Sequence, residues 1–135
     1  MPAIPSLPQA IKVMLESISN TIVTDANITF GKRNQDGGFP AVVYKIQNSE
    51  ILTVGTNPLR KATVEILCYD LTAQAAQELS VSVRSIIDSG TYAGMDFQTF
   101  VNDTNNILQE PEIANGEEAN PFVSSITVDI FYKES

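Results

Sequence analysis

The sequence predicts an α+β fold, a single small domain over residues 1–135 in which two helices cover one face of a largely antiparallel sheet. Two segments carry apolar residues at helical spacing, and five others alternate or concentrate apolar residues as strands do. Their order is α-β-β-β-α-β-β, so helices interrupt runs of strands instead of following each strand, which favours α+β over α/β. A hydrophobic content of 43% is sufficient for a core in one domain.

The first helix is predicted over Ser6 to Val23. Ser6 and Gln9 have the spacing of a capping box, and Pro8 falls in the first turn, where a missing N–H is tolerated. The apolar residues that form its single stripe are Leu7, Ile11, Met14, Leu15, Ile18 and Ile22. This stripe is expected to pack on a sheet.

Three strands are predicted next, at 27–30, 41–49 and 61–69, and a loop over 31–40 joins the first two. In the third strand, alternate residues from Ala62 to Cys68 are expected to share one face. Cys68 is the single cysteine of the chain, which excludes an internal disulfide. Its neighbours offer no positive charge, so we expect a buried, unreactive thiol.

The second helix is predicted over Thr72 to Ser89. Asp70 or Thr72 is expected to cap it, and Gly90 is expected to end it in the left-handed conformation. The apolar stripe of this helix consists of Ala76, Leu79, Val83, Ile86 and Ile87.

The C-terminal part of the chain predicts two more strands. The first covers Met95 to Val101, and Ile107 and Leu108 are expected to resume it. The segment 109–121 is predicted to be a loop because it contains two prolines, a glycine and four glutamates. The last strand, Phe122 to Lys133, has the strongest period-2 alternation in the chain.

Composition narrows the possible chemistry. The chain has 8 Lys and Arg against 16 Asp and Glu, a net charge of -8, which argues against a surface that grips a phosphate backbone. It has no histidine, the commonest general base and metal ligand. The glutamates of 109–121 match no EF-hand spacing and are interpreted as a solvated acidic loop. We therefore expect no enzyme, no cofactor and no metal.

Targeting signals are also weak. No apolar run approaches the ~18 residues of a membrane span, and the segment MPAIPSLPQAIK lacks the basic and apolar regions of a secretory signal. A cytosolic site of synthesis and no membrane partner are expected.

Several segments in the same order carry a resemblance to a known family. A short helix, PQAIKVMLESI, leads to FPAVVYKI; RKATVEILCYDLTAQAAQELSVSVRSIID follows, then TYAGMDFQTF, and SSITVDIFYKE closes the chain. In order, spacing and length, the chain resembles the tail terminator, or tail-completion, proteins of long-tailed bacteriophages, a family that includes the lambda tail terminator. The resemblance covers about residues 9–134, and it consists in the order and spacing of these segments.

The resemblance implies a structural virion protein at the head–tail interface, assembled in the host bacterial cytoplasm. Such proteins form a ring, usually a hexamer, at the head-proximal end of the tail tube. The ring stops tube polymerisation and offers a surface for head joining, so its partners are itself, the tail tube protein and the head–tail connector proteins. Genome DNA passes through the lumen without specific binding.

Charged residues in loops and at strand ends are the candidates for the lumen or the subunit interface. The basic pairs could blunt exposed strand edges, form ion pairs at a rim that contribute little stability, or meet an acidic patch on a neighbouring subunit. The glutamates could face the lumen or a partner. The loops 31–40 and 109–121 are expected to be flexible in the free monomer. The candidates are Lys32, Arg33, Asp36, Arg60, Lys61, Glu110, Glu112, Glu117 and Glu118.

Two alternatives remain open at this stage. One is another head–tail connector or tail-completion component with the same small fold. The other is a cytosolic module that binds a small ligand or a peptide through an open sheet edge or the apolar side of the sheet.

Overall fold

A computed structural model describes residues 7–18, 23, 27–32, 38–53, 58–92, 95–102, 107–109, 112–114, 117–119 and 122–133. These residues form two helices, α1 (Leu7–Leu15) and α2 (Ala73–Ile86), and nine strands. The strands are β1 (Ile28–Phe30), β2 (Ala41–Ile51), β3 (Leu59–Asp70), β4 (Gly90–Tyr92), β5 (Met95–Asn102), β6 (Ile107–Gln109), β7 (Glu112–Ala114), β8 (Glu117–Ala119) and β9 (Phe122–Lys133).

The main sheet has the strand order β1-β2-β3-β9-β5-β4, and β6 also pairs with β9. The long strands β2, β3, β9 and β5 pair with one another in antiparallel fashion, whereas the three-residue β1 is parallel to β2. The long strands alternate apolar and polar residues, as half-buried strands do. The predicted α+β class with a largely antiparallel sheet is confirmed.

Both helices pack on the same face of this sheet. The apolar side chains of α1 and α2 join one core cluster with alternate residues of the long strands, including Val64, Ile126 and Val128, each with no exposed surface. The alternation predicted for Ala62 to Cys68 and for the last strand is confirmed. Because successive strand residues point to opposite faces, the remaining residues of these strands form a second, outer face.

The first helix is shorter than predicted. It ends at Leu15. After it, the backbone hydrogen bonds join residues three positions apart, as in a tighter turn: the amides of Ser17 and Ile18 donate to the carbonyls of Met14 and Leu15, at 3.2 Å each. Ile18 and Val23 are nonetheless buried in the core. The apolar pattern therefore extends past the end of the helix because Ile18, which follows it, also packs in the core. The predicted cap Ser6 and residues 19–22 lie outside the described residues.

The start of the second helix agrees with the prediction and its end does not. Thr72 is the N-cap, and its side-chain oxygen accepts a hydrogen bond from the Ala75 amide at 3.1 Å. Asp70 instead accepts from the adjacent Leu71 amide. The predicted helix end at Gly90 was wrong, because α2 stops at Ile86 and Gly90 opens β4, opposite Phe97. Tertiary pairing with β5 decides the conformation of Gly90.

Replacing the cap tests this helix start. We expect Thr72→Ala to lower the free energy of unfolding by about 1 kcal/mol, because the Ala75 amide would lose its acceptor. Urea denaturation measures the change. Thr72→Ser keeps the oxygen and should stay within about 0.5 kcal/mol of the wild type. Equal losses in both variants would show that the hydroxyl does not stabilise α2.

The segment before the last strand contains more structure than a loop. Ile107–Gln109 pairs with the beginning of β9, alongside the part paired with β5, so the prediction that Ile107 and Leu108 resume the fourth strand is confirmed. The predicted loop 109–121 was wrong in part, because β7 and β8 form an antiparallel hairpin within it. Pairing between the two short segments overrides the turn-rich composition.

Candidate assembly surface

The outer face of the sheet, on the side away from the helices, is divided into two parts. At the end where β2 begins, apolar side chains form a second buried cluster, with Phe39 packed against it. Its members are Ala41, Val43, Leu67, Tyr69 and Val123. Further along the same strands, the outer face is partly or fully exposed.

We call this second part the open face. Cross-strand register places opposite charges beside each other on it: Lys45 is opposite Glu65, and Glu50 is opposite Lys61. Between β5 and β9, Asp96 is opposite Lys133. Opposite charges at facing positions support strand pairing by a few tenths of a kcal/mol up to about 1 kcal/mol. The open face consists of Lys45, Glu50, Lys61, Glu65, Asp96, Gln98, Phe100, Asp129, Phe131 and Lys133.

An aromatic pair lies on the β9 and β5 side of the open face. The rings of Phe100 and Phe131 meet edge to face, with centroids 5.6 Å apart, and Phe100 is 60% exposed. The Lys61 ammonium lies 5.8 Å from the centroid of the Phe131 ring, a cation–π geometry. Because aromatic residues are enriched at protein contact surfaces, this pair makes the open face a candidate contact surface.

Side-chain hydrogen bonds fix two of the carboxylates of the open face. The Thr63 hydroxyl donates to Asp129 at 3.0 Å, and the Thr91 hydroxyl donates to Asp96 at 2.6 Å. A groove of about 310 Å³ lies beside the aromatic pair and is lined by Leu59, Asp96, Gln98, Phe131, Tyr132 and Lys133. The open face therefore combines exposed aromatic surface with neighbouring charged side chains, and it can bind a surface of complementary shape and charge.

The structure places one of the predicted site residues on this surface. Lys61 belongs to the open face, whereas Arg60 precedes it in β3 and, by strand alternation, points to the opposite face, across from Tyr132. The proposal that this basic pair blunts a strand edge was wrong, because β3 is an interior strand with β2 on one side and β9 on the other. The sequence does not contain the strand order, and the pairing alone shows that β3 has two neighbours.

The other predicted site residues are not brought together with Lys61. Lys32 is exposed and follows the edge strand β1, and its backbone carbonyl accepts a hydrogen bond from the Thr29 hydroxyl. Glu112 lies in β7, and Glu117 and Glu118 lie in β8, away from the main sheet ladder. Arg33, Asp36 and Glu110 lie outside the described residues.

Sequence reasoning missed Phe100, Phe131 and Asp129 as members of a surface. A signal was present, since Phe131 occupies a polar-face position in an alternating strand, where a solvent-facing residue is expected. Phe100 sits likewise between half-buried neighbours in β5. What the sequence does not give is the register that sets both rings side by side.

The described residues contain no cluster of three or more carboxylate or cysteine side chains that could hold a metal ion. Cys68 is fully buried, and burial raises its thiol pKa from 9.0 to about 12, so the predicted buried thiol is confirmed. Among the same residues, no helix is both long and apolar enough to span a membrane.

Fold and surface together define a small α+β domain with helices on one side of its sheet and an open, charged and aromatic face on the other. Comparison with protein-family models and with curated proteins found no match to this chain.

Proposed function

We propose that this protein is a structural assembly protein, a bacteriophage tail terminator that forms a ring at the head-proximal end of the tail tube. The observation that carries the proposal is the open face. It exposes an aromatic ring beside cross-strand pairs of opposite charge, on a chain whose net charge is -8. Such a surface suits contact with protein rather than with a phosphate backbone.

The charge balance of the open face supports this reading. Its three lysines and four carboxylates, Glu50, Glu65, Asp96 and Asp129, give a formal charge of -1 (3 − 4), against -8 for the whole chain. Copies of an acidic protein repel one another over most of their surface. A nearly neutral patch is therefore a favourable place for one copy to meet another or to meet the tube.

The β7–β8 hairpin supports a role in the ring lumen or at a partner. It carries Glu112, Glu117 and Glu118 at backbone positions outside the main sheet. In the proposed ring, a negative lumen repels the DNA backbone and lets the genome pass without binding. The ring would end tube growth by covering the last tube subunits and would present its other side to the head connector.

Electron microscopy of tails assembled without this protein tests the proposal. We expect tubes longer than normal, because nothing would stop the addition of tube subunits. Supplying the wild-type protein should restore a uniform length. Tails of normal length that lack heads would overturn the terminator role and would favour the alternative, a connector component that acts only in head joining.

A further inference from the structure

We propose that, in the ring on which the proposed function rests, the open face of one copy binds the exposed side of α2 on the next copy. The partner is thus a second copy of this chain, bound head to tail. We call the exposed side of this helix and its preceding residue the α2 stripe, and it consists of Leu71, Gln74, Gln77, Glu78, Val81, Ser82 and Ser85.

The α2 stripe has the features of a contact surface. Leu71 is 59% exposed and Val81 is 60% exposed, although the opposite side of the helix is buried in the core. Gln74, Gln77, Glu78, Val81 and Ser82 line a shallow, open surface along the helix. The Gln74 amide donates to the Glu78 carboxylate at 3.1 Å, which holds that charge beside Val81 on the same side of the helix.

The charges of the two surfaces favour contact between them over contact between two helices. Glu78 on the α2 stripe and Asp88 just beyond it are exposed, and within residues 71–88 the one cation, Arg84, is half-buried. The open face is nearly neutral, and it contains Lys45, Lys61 and Lys133, three of the eight cations in the chain, beside four carboxylates. Docking can therefore place Glu78 beside a lysine, whereas two helix surfaces would bring carboxylates together.

The apolar groups of the two surfaces match as well. Phe100 projects from the open face and is 60% exposed, and Val81 on the α2 stripe is exposed to the same extent. Contact between them removes both side chains from water. In the proposed contact, Lys61, which lies over the Phe131 ring next to Phe100, faces Glu78, which precedes Val81 by one helical turn.

The positions of the two surfaces determine the kind of assembly. The helices cover one side of the sheet and the open face is on the other, so one copy can bind two neighbours at once. Contact between two different surfaces is heterologous, and it closes into a ring when the rotation between copies permits. A face-to-face contact between two open faces would stop at a dimer and leave α2 exposed.

Charge reversal on either surface tests this inference. Lys61→Glu and Glu78→Lys should each raise the concentration needed for self-association by roughly tenfold or more, because each sets like charges against each other. Sedimentation of the full chain over a range of concentrations measures this. Lys12→Glu and Glu16→Lys make the same charge changes on and just after α1, outside both surfaces, and should associate like the wild type.

Mixing the two single variants gives the sharper result. A Lys61→Glu copy has a negative open face and its natural stripe, and a Glu78→Lys copy has a positive stripe and its natural open face. Equal amounts should assemble in alternation, because every contact then joins opposite charges. The double variant, which carries both changes on one chain, should also regain association.

Three outcomes would overturn the inference. Assembly that is unchanged in both single variants would place the contact elsewhere. Loss in Lys61→Glu with no effect of Glu78→Lys would indicate pairing of two open faces. A wild-type chain that stays monomeric at every concentration would exclude the contact as well. None of these results decides the proposed function, which depends on the length of the tubes.

Discussion

Val128→Asp is expected to leave the chain unfolded. Val128 has no exposed surface and lies in β9 between Val64 of β3 and Val101 of β5, beneath the helices. A carboxylate there has no partner, and burying one costs several kcal/mol. A domain is stable by only about 5–15 kcal/mol, so this change removes most or all of that margin.

Circular dichroism and urea denaturation measure the effect. We expect the variant to lose the cooperative transition of the wild type. The matched control is Gln98→Asp, which introduces the same carboxylate on the exposed side of β5, opposite Phe131. It should change the free energy of unfolding by less than about 1 kcal/mol. A folded Val128→Asp protein with a native spectrum would refute the assignment of the two sheet faces.

Cys68 is expected to make the protein less stable in alkali. Burial raises its pKa from 9.0 to about 12, so the folded chain keeps the thiol neutral where the unfolded chain ionises it. Below pH 9 the thiol is protonated in both the folded and the unfolded state, so its ionisation does not lower the free energy of unfolding. As pH rises from 9 towards 12, the unfolded state alone releases it, and the free energy of unfolding falls by ~1.4 kcal/mol per pH unit, up to about 4 kcal/mol.

Comparison with Cys68→Ala isolates this effect. Burial, with a contribution from Glu16, also raises the pKa of Tyr44, but that hydroxyl is present in both proteins and its effect cancels in the difference. Denaturation at several pH values should show the wild type losing its advantage over the variant between pH 9 and 11. Parallel stability curves would show that the native thiol ionises as readily as the unfolded one.

Local patterns were enough for much of the fold. The period-2 alternation of Phe122 to Lys133 assigned its buried face correctly, because the hydrophobic effect acts on every second residue of a half-buried strand. The same holds for Ala62 to Cys68. Thr72 could be identified as a possible cap because its hydrogen bond reaches only three residues along the chain.

Features that depend on pairing with another strand were not predictable in the same way, even where that strand follows closely in the chain. Gly90 is the residue type that commonly ends a helix, yet it pairs with Phe97 in the β4–β5 hairpin. The β7–β8 hairpin arises within a segment rich in proline, glycine and glutamate. In both cases the local preference is small, and backbone pairing with a neighbouring strand outweighs it.

The candidate surface shows the same division. The sequence indicated that charged residues such as Lys61 would face outward, because they alternate with core residues. It gave no reason to join Lys61 with Phe131 and Phe100, which are 70 and 39 positions away along the chain (131 − 61 and 100 − 61). Only the register of β3, β9 and β5 brings them side by side.

The sequence by itself determined the class of fold, the buried faces of the strands and the start of the second helix, because these depend on side chains a few positions apart. The tertiary structure decided which strands are interior, which residues share the open face and how that face stands opposite the α2 stripe. The physical reason is that strand order and register are set by the summed burial and pairing of segments far apart in the chain.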